Sequence, residues 1–276
     1  LNCVANGKVL REAGFEGIFI QPAAGDAGGA AGAALFTYYS VLKNKRTYAV
    51  MKNPYLGPSF SDQEIEKILL EVGATYQKLE RAHLLTKTAQ LIAHKNVIGW
   101  FQGRMEFGPR ALGGRSILAD ARDPKMKDTV NLKIKFRESF RPFAPTVLAE
   151  HVSDYFELDR ESPYMLLVAQ VRKDKRIIPS ITHIDGSARI QTIKREDNPL
   201  YYDVIHEFYK LTGIPVVINT SFNVRGEPIV GSPLDAYNCF MGTNMDYLAI
   251  GNFLLDKREQ RNKKLFENWH ETFPLD

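Results

Sequence analysis

From Val97 onward the chain alternates short apolar runs with helical stretches, and that alternation confines it to an α/β architecture. The runs are VIGWF, PFAPTVL, YMLLVAQV, ARIQTI, PVVINTSF and YLAIGNFLL, with helical stretches at 125–134, 200–211 and 233–241. Strand-length runs spaced by helices build a sheet with helices packed on it, here a mixed one. Ser61 opens a further helix. In SDQEIEKILLEV its hydroxyl can cap the first turn, Glu64 stands at the capping-box position, and Ile65, Ile68, Leu69 and Val72 recur at helical spacing. LLTKTAQLIAH, over 84–94, predicts another helix.

The first fifty residues form a separate α/β element. Gly17-Ile18-Phe19-Ile20 predicts a short strand, QPAAGDAGG a glycine turn and AAGAALFTYYSVL a buried helix. KNPYLGPSF, residues 52–60, is punctuated by proline and glycine and reads as a linker, which places a domain boundary between residues 50 and 96. The chain opens on LNCVANGKVL with no initiator Met and no polar lead-in, and reads as a piece of a longer protein. Its 44% hydrophobic and 25% charged residues are ordinary globular composition. No window approaches the roughly 18 apolar residues of a membrane helix, so no membrane association is expected. Two isolated cysteines, Cys3 and Cys239, suit a reducing cytoplasm and core packing better than a disulfide or a metal. A net charge of +4 is too weak to draw nucleic acid by bulk attraction, yet leaves a local anion site open.

Five segments carry chemistry. GRMEFGPRALGGRSILAD sets Arg104, Arg110 and Arg115 among Gly103, Gly108, Gly113 and Gly114, always-charged side chains on a bare backbone. In KIKFRESFRPFAPTVL, an extended 135–141 would turn Lys135, Arg137, Ser139 and Arg141 to one face. Such a face is either solvated or neutralised by an anion. PVVINTSFNVRGEPIV puts Asn219, Thr220, Ser221 and Asn223 at a strand's carboxyl end, where open α/β sheets place ligands and where turns also satisfy themselves. In GSARIQTI, Arg189 and Gln191 share a strand face. Jointly these residues describe an anion-binding cleft. QPAAGDAGGAAGAAL is either a tight packing turn or a phosphate cradle at a helix start, with Asp26 suited to a cation or a cap. The histidines His83, His94, His151, His183, His206 and His270 show no paired ligand spacing.

QPAAGDAGGAAGAAL, YLGPSFSDQEIEKIL, GRMEFGPRALGGRSILAD, FRESFRPFAPTVL and NTSFNVRGEPIV, in this order, resemble the O-carbamoyltransferases of the nodulation-protein and antibiotic-tailoring type. The resemblance implies that 1–50 is the end of an actin-like (Kae1-like) ATPase lobe, 51–64 a linker, and 65–276 a lobe with the YrdC/Sua5-like mixed twisted sheet. It implies a two-step reaction: carbamoyl phosphate and ATP give carbamoyl-adenylate in the YrdC-like lobe, and the carbamoyl group then passes to an acceptor hydroxyl in the actin-like lobe. By motif match, Lys135, Arg141, Arg189 and Ser221 would act on carbamoyl phosphate and its adenylate, supported by Asn219, Asn223 and Arg110. Gly28, Gly29 and Asn6 would line the second nucleotide pocket and Asp26 would bind a metal. Mg²⁺ and Fe²⁺ or another divalent metal would serve the complete protein. The family's histidine pair, its other metal ligands, has no counterpart here. The rival readings are an RNA-binding module of the tRNA threonylcarbamoyl-AMP type and a catalytically inert interaction domain.

Overall fold

The computed structural model describes residues 1–47, 51–261, 266 and 269–273, and its helices begin where their sequence caps stand. In α1, Cys3–Glu12, the Asn2 side chain accepts from the Ala5 N–H. α2, Asp26–Phe36, runs on into a π-turn over Thr37–Val41. α3, Asp62–Glu71, carries the expected capping box. The Ser61 hydroxyl accepts from the Glu64 N–H at 3.3 Å and the Glu64 carboxylate accepts from the Ser61 N–H at 2.7 Å. β1 (Gln77–Lys78), α4 (Arg81–Ala93), β2 (Ile98–Phe101), β3 (Arg115–Asp120), α5 (Met126–Lys133) and β4 (Ala144–Leu148) follow. After the short α6 (Val152–Tyr155) come β5 (Leu167–Gln170) and β6 (Ser187–Ile193). α7, Pro199–Thr212, has Asn198 as its cap, Pro199 in its first turn and Gly213 in the left-handed conformation (φ 73°) at its end. β7 (Val216–Ser221), α8 (Pro233–Met241, boxed by Ser232 and Asp235), β8 (Tyr247–Ile250) and β9 (Phe253–Asp256) complete the order.

The strands form one mixed sheet in the order β1-β9-β8-β2-β3-β7-β4-β6-β5. β2 with β8 and β4 with β6 are parallel, and the remaining pairs are antiparallel. α4 packs along α7, and α8 packs on β2, β8 and α3. Every residue of β2 and β3 is buried, which is why these strands show no polar alternation in sequence. Trp100, Phe208, Phe222 and Phe240 are fully buried at the centre of the core.

Topology brings the important loops to one end. β7 pairs antiparallel with β3 (Ser221 opposite Ser116) and with β4 (Asn219 opposite Ala144). The loop 102–114 that enters β3 and the loop 134–143 that enters β4 therefore both reach the carboxyl end of β7. β6, parallel to β4 with Gln191 opposite Thr146, starts at the same end and brings Arg189 there.

Several expectations need correction. Residues 17–20 are not a strand, and Phe19 is 84% exposed, because no described strand lies beside them to supply ladder hydrogen bonds. AAGAALFTYYSVL is helical but not buried. α2 has no buried residue, and Leu35, Phe36, Val41 and Leu42 are exposed. An apolar helix is buried only where another element covers it, and among the described residues none covers α2. RSILAD, absent from the apolar runs expected as strands, is strand β3, and YLAIGNFLL is two strands turned at Gly251 (φ 53°). The stretch 52–60 is pinned rather than loose. Gly57 N–H donates to Met105, Met105 N–H to Pro58, Phe107 N–H to Pro54 and the Tyr55 hydroxyl to Leu112. Residues 135–141 are bent, not extended; Phe136 sits at φ 47°, in the left-handed region, and turns the chain after Lys135.

Candidate anion-binding site

The floor of the convergence point is a buried polar network. The Asn219 amide donates to the Ala111 carbonyl (3.2 Å), Thr146 Oγ1 (3.2 Å) and Gln191 Oε1 (2.8 Å). The Tyr201 hydroxyl donates to Thr146 Oγ1, and the Gln191 amide donates to the Leu112 carbonyl. Asn219 Oδ1 is buried there without a partner. Networks of this kind rigidify a core when fully satisfied, so the one open acceptor is informative.

Lys135 ties the rim together. Buried at 4% exposure, its ammonium donates to the Ser221 carbonyl, Ser221 Oγ (3.2 Å), the Asn223 carbonyl (2.8 Å) and Asn223 Oδ1 (2.7 Å). The Ser221 hydroxyl donates in turn to Asn223 Oδ1 at 2.6 Å. Burial pushes the Lys135 ammonium down to about 7, and the nearby Arg137 charge acts in the same direction. Glu227, whose carboxylate accepts from the Val224 N–H at 2.7 Å, is pushed up to about 7 by the same burial.

Two adjoining hollows lie above this floor. One, of about 310 Å³, is lined by Arg110, Arg137, Arg141, Arg189, Asn219 and Ser221; the other, of about 450 Å³, by Lys135, Arg137, Arg141, Ser221, Asn223 and Glu227. Arg137, Arg141 and Ser221 face both. Of the expected quartet, Arg141 and Ser221 face both hollows, Arg189 lines only the first and Lys135 only the second. Arg110 and Arg189 each hold a buried Nε with no partner. Burial pushes the Arg189 guanidinium down to about 10, and the charge of Arg110 adds to the effect. Cations left unpaired and repelling one another around an open space fit a multiply charged anion.

Arg137 and Asn131 carry more of the site than the sequence suggested. Arg137 Nε donates to Asn131 Oδ1 at 2.7 Å, and the Asn131 amide donates to the carbonyls of Ser139 and Arg141. Buried on α5, Asn131 shapes the whole basic loop, but in sequence it looks like any polar residue of a helix. Arg141 is exposed and shared with Glu138, 2.9 Å from its Nε.

Of the three arginines in GRMEFGPRALGGRSILAD, only Arg110 faces the cleft. Arg104 donates to the carbonyls of Leu56 and Gly57. Arg115, fully buried, donates to those of Gln102, Gly103, Gly114 and Pro58 and stacks 3.6 Å from the centre of the Phe101 ring. Both hold the strap 54–58 onto the sheet. Gly113, at φ 111°, lies against Tyr201, whose ring a side chain there would strike.

The amino-terminal candidates sit elsewhere. Asp26 is exposed at the start of α2, and the N–H groups of Gly28 and Gly29 already donate to the carbonyls of Ala23 and Gly25. Gly28 is needed for packing, since a side chain there would meet the Ala23 carbonyl. Among the described residues no three His, Cys, Asp or Glu side chains group to hold a metal ion. The Asn6 amide donates to the Leu166 carbonyl at 2.9 Å and docks α1 near β5. The side chain of His270 lies outside the described residues. Among them no helix is long and apolar enough to cross a membrane.

Two family models match the chain: Carbamoyltransferase C-terminus over residues 89–257 and Carbamoyltransferase N-terminus over residues 1–35. An uncharacterized Synechocystis protein, sll1178, is 53% identical over 302 residues, covering all of this chain and 49% of that protein. Nodulation protein NolO of Bradyrhizobium diazoefficiens is 45% identical over 262 residues, covering 93% of this chain and 48% of its own. The chain therefore spans about half the length of these relatives. Among solved structures, P. abyssi Sua5 complexed with L-threonine is similar over 66% of this chain and 49% of that one, with a TM-score of 0.47 and 14% identity. With one family model running through most of the sheet and relatives this similar along nearly every residue, the chain belongs to the carbamoyltransferase family.

Proposed function

We propose that this chain carries the adenylate-forming lobe of an ATP-dependent O-carbamoyltransferase, residues 65–276, preceded by the end of an actin-like lobe, residues 1–50. The observation that carries the reading is the pair of adjoining hollows. Arg110 and Arg189 line one and Lys135 the other, Arg137 and Arg141 face both, and two guanidinium Nε atoms are shielded and unpartnered. Carbamoyl phosphate and ATP repel each other, and the four arginines, joined by Lys135 in its protonated form, offset that repulsion. The step balances as carbamoyl phosphate, ATP and water giving carbamoyl-adenylate, pyrophosphate and phosphate. The chain's own residues bind and orient. Arginine forks grip phosphate oxygens, Lys135 holds Ser221 and Asn223 in register, and the Ser221 hydroxyl is aligned between donor and acceptor. The carbamoyl group would then pass to a hydroxyl of a small-molecule acceptor in the complete protein, with AMP leaving.

Titration calorimetry with carbamoyl phosphate tests the first half. Arg141→Ala is expected to weaken binding by about 1.5 kcal/mol, the lower end for a charge-assisted hydrogen bond, because Glu138 and solvent already compete for this side chain. Unchanged affinity removes Arg141 from the site. Asp26→Ala is expected to leave pyrophosphate release from ATP and carbamoyl phosphate unaltered, since Asp26 lies on α2, outside the hollow. Loss of that release with the fold retained would overturn the division between the lobes.

A further inference from the structure

The loop 102–114 joins β2 to β3 and turns its backbone N–H groups inward, in the manner of a phosphate-binding glycine loop, yet the anion it encloses is its own. Glu106 Oε1 accepts from the N–H of Leu112 at 2.6 Å, of Gly114 at 2.7 Å and of Arg115 at 3.4 Å. Its other oxygen, Oε2, is buried with no partner, and the residue is 6% exposed. Other groups of the returning limb are held by neighbouring elements. The Ala111 carbonyl accepts from Asn219, the Leu112 carbonyl from Gln191 and Tyr55, and the Gly113 carbonyl from Trp100 Nε1; the Gly113 N–H donates to Ser116 Oγ. The Arg115 guanidinium adds an electrostatic attraction to the buried carboxylate. Between the two ends of this clasp, four residues after Glu106, stands Arg110, whose half-buried side chain enters the cleft with its Nε unpartnered.

We propose that Glu106 is a positioning residue: its carboxylate occupies the loop's amide nest as a built-in anion and thereby aims Arg110 into the cleft. A nest of several amides around one charged oxygen is a strong, directional hold, and three aligned N–H groups fix the loop more tightly than packing around glycines does. Gly114 thus lets the loop wrap its own carboxylate closely. A side chain at Gly114 would come within 3.0 Å of Glu106 Oε2. The substrate phosphate is left to the arginines.

The inference rests on reading the cleft as a phosphate site, and inorganic phosphate binding by calorimetry separates the two claims. The unaltered chain should bind phosphate. Arg110→Ala and Glu106→Ala should each weaken it by about tenfold, the cost of one charge-assisted contact. The double variant should be no weaker than Glu106→Ala alone, because a misaimed Arg110 has nothing left to lose. Formate, small enough to enter the vacated nest, should restore phosphate affinity in Glu106→Ala while only competing in the unaltered chain. Should Glu106→Ala fail to fold, Glu106→Gln, which keeps an accepting oxygen but not the charge, should lose part of the affinity, and adding Arg110→Ala to it should cost less than it does in the unaltered chain. Additive losses, or a folded Glu106→Ala that binds phosphate as the unaltered chain does, overturn the positioning role. Absence of phosphate binding in the unaltered chain overturns the cleft reading itself and takes this inference with it, whereas phosphate bound normally with additive variants defeats this inference alone.

Discussion

Arg189→Met is expected to weaken phosphate and carbamoyl phosphate binding by about a hundredfold, the upper range for a charge-assisted pair, without lowering the melting temperature. Arg189 stands on β6 opposite Val168 and faces the 310 Å³ hollow with its Nε shielded and unpartnered. Burial, and then Arg110, push its guanidinium down to about 10, well below its ordinary value. A base whose folded value is depressed is held more weakly charged by the folded chain than by the unfolded one. Its charge therefore costs stability at every pH below about 10, and that cost fades only as pH rises from there towards the ordinary guanidinium value. Methionine removes the cost while keeping much of the volume, so the variant should melt at the same or a higher temperature. A bound dianion supplies what Arg189 lacks, so added phosphate should raise the melting temperature of the unaltered chain and leave that of the variant unmoved. A variant that binds phosphate undiminished would remove Arg189 from the site.

Lys135→Met should act oppositely on stability, losing about 3 kcal/mol, because four oxygens on Ser221 and Asn223 would face a methyl group. Its second signature is pH. Lys135 titrates in the folded chain at about 7, so between there and 10.5 the unfolded chain holds more protons and the stability of the unaltered chain rises with pH. The variant should lose that rise. Ligand binding should move the other way. Sulfate keeps a constant charge over this range, and its affinity should fall by about tenfold from pH 6 to pH 8 as Lys135 loses its proton. Glu227, at about 7, gains negative charge over the same interval and reinforces the fall. A flat sulfate profile would show that Lys135 serves only to brace the rim.

Much of the site was legible because its residues are unusual for where they stand. Lys135, Arg137 and Arg141 crowd one another in sequence, and Asn219, Ser221 and Asn223 end a strand. Their convergence follows from β7 lying between β3 and β4, a pairing no local pattern reveals. The loop of 135–141 misled in detail: alternation suggested an extended face, whereas Asn131, Asn223 and Ser221 bend the segment around polar contacts made from other elements. The amino-terminal helix misled for the converse reason. Its apolar composition states what it needs to bury, and composition cannot supply the surface that covers it.

Caps, helical period and turn glycines act within a few residues, so α3, α7 and α8 and their first and last turns were determined by the local sequence alone. Which arginine of GRMEFGPRALGGRSILAD meets the cleft was decided only by the tertiary structure. Arg104 and Arg115 find carbonyls near residue 57, some fifty positions back along the chain, Glu106 closes the loop on itself, and Arg110 alone is left facing open space. A guanidinium takes whichever oxygens the folded backbone brings within about 3 Å, and that choice does not exist until the sheet has formed.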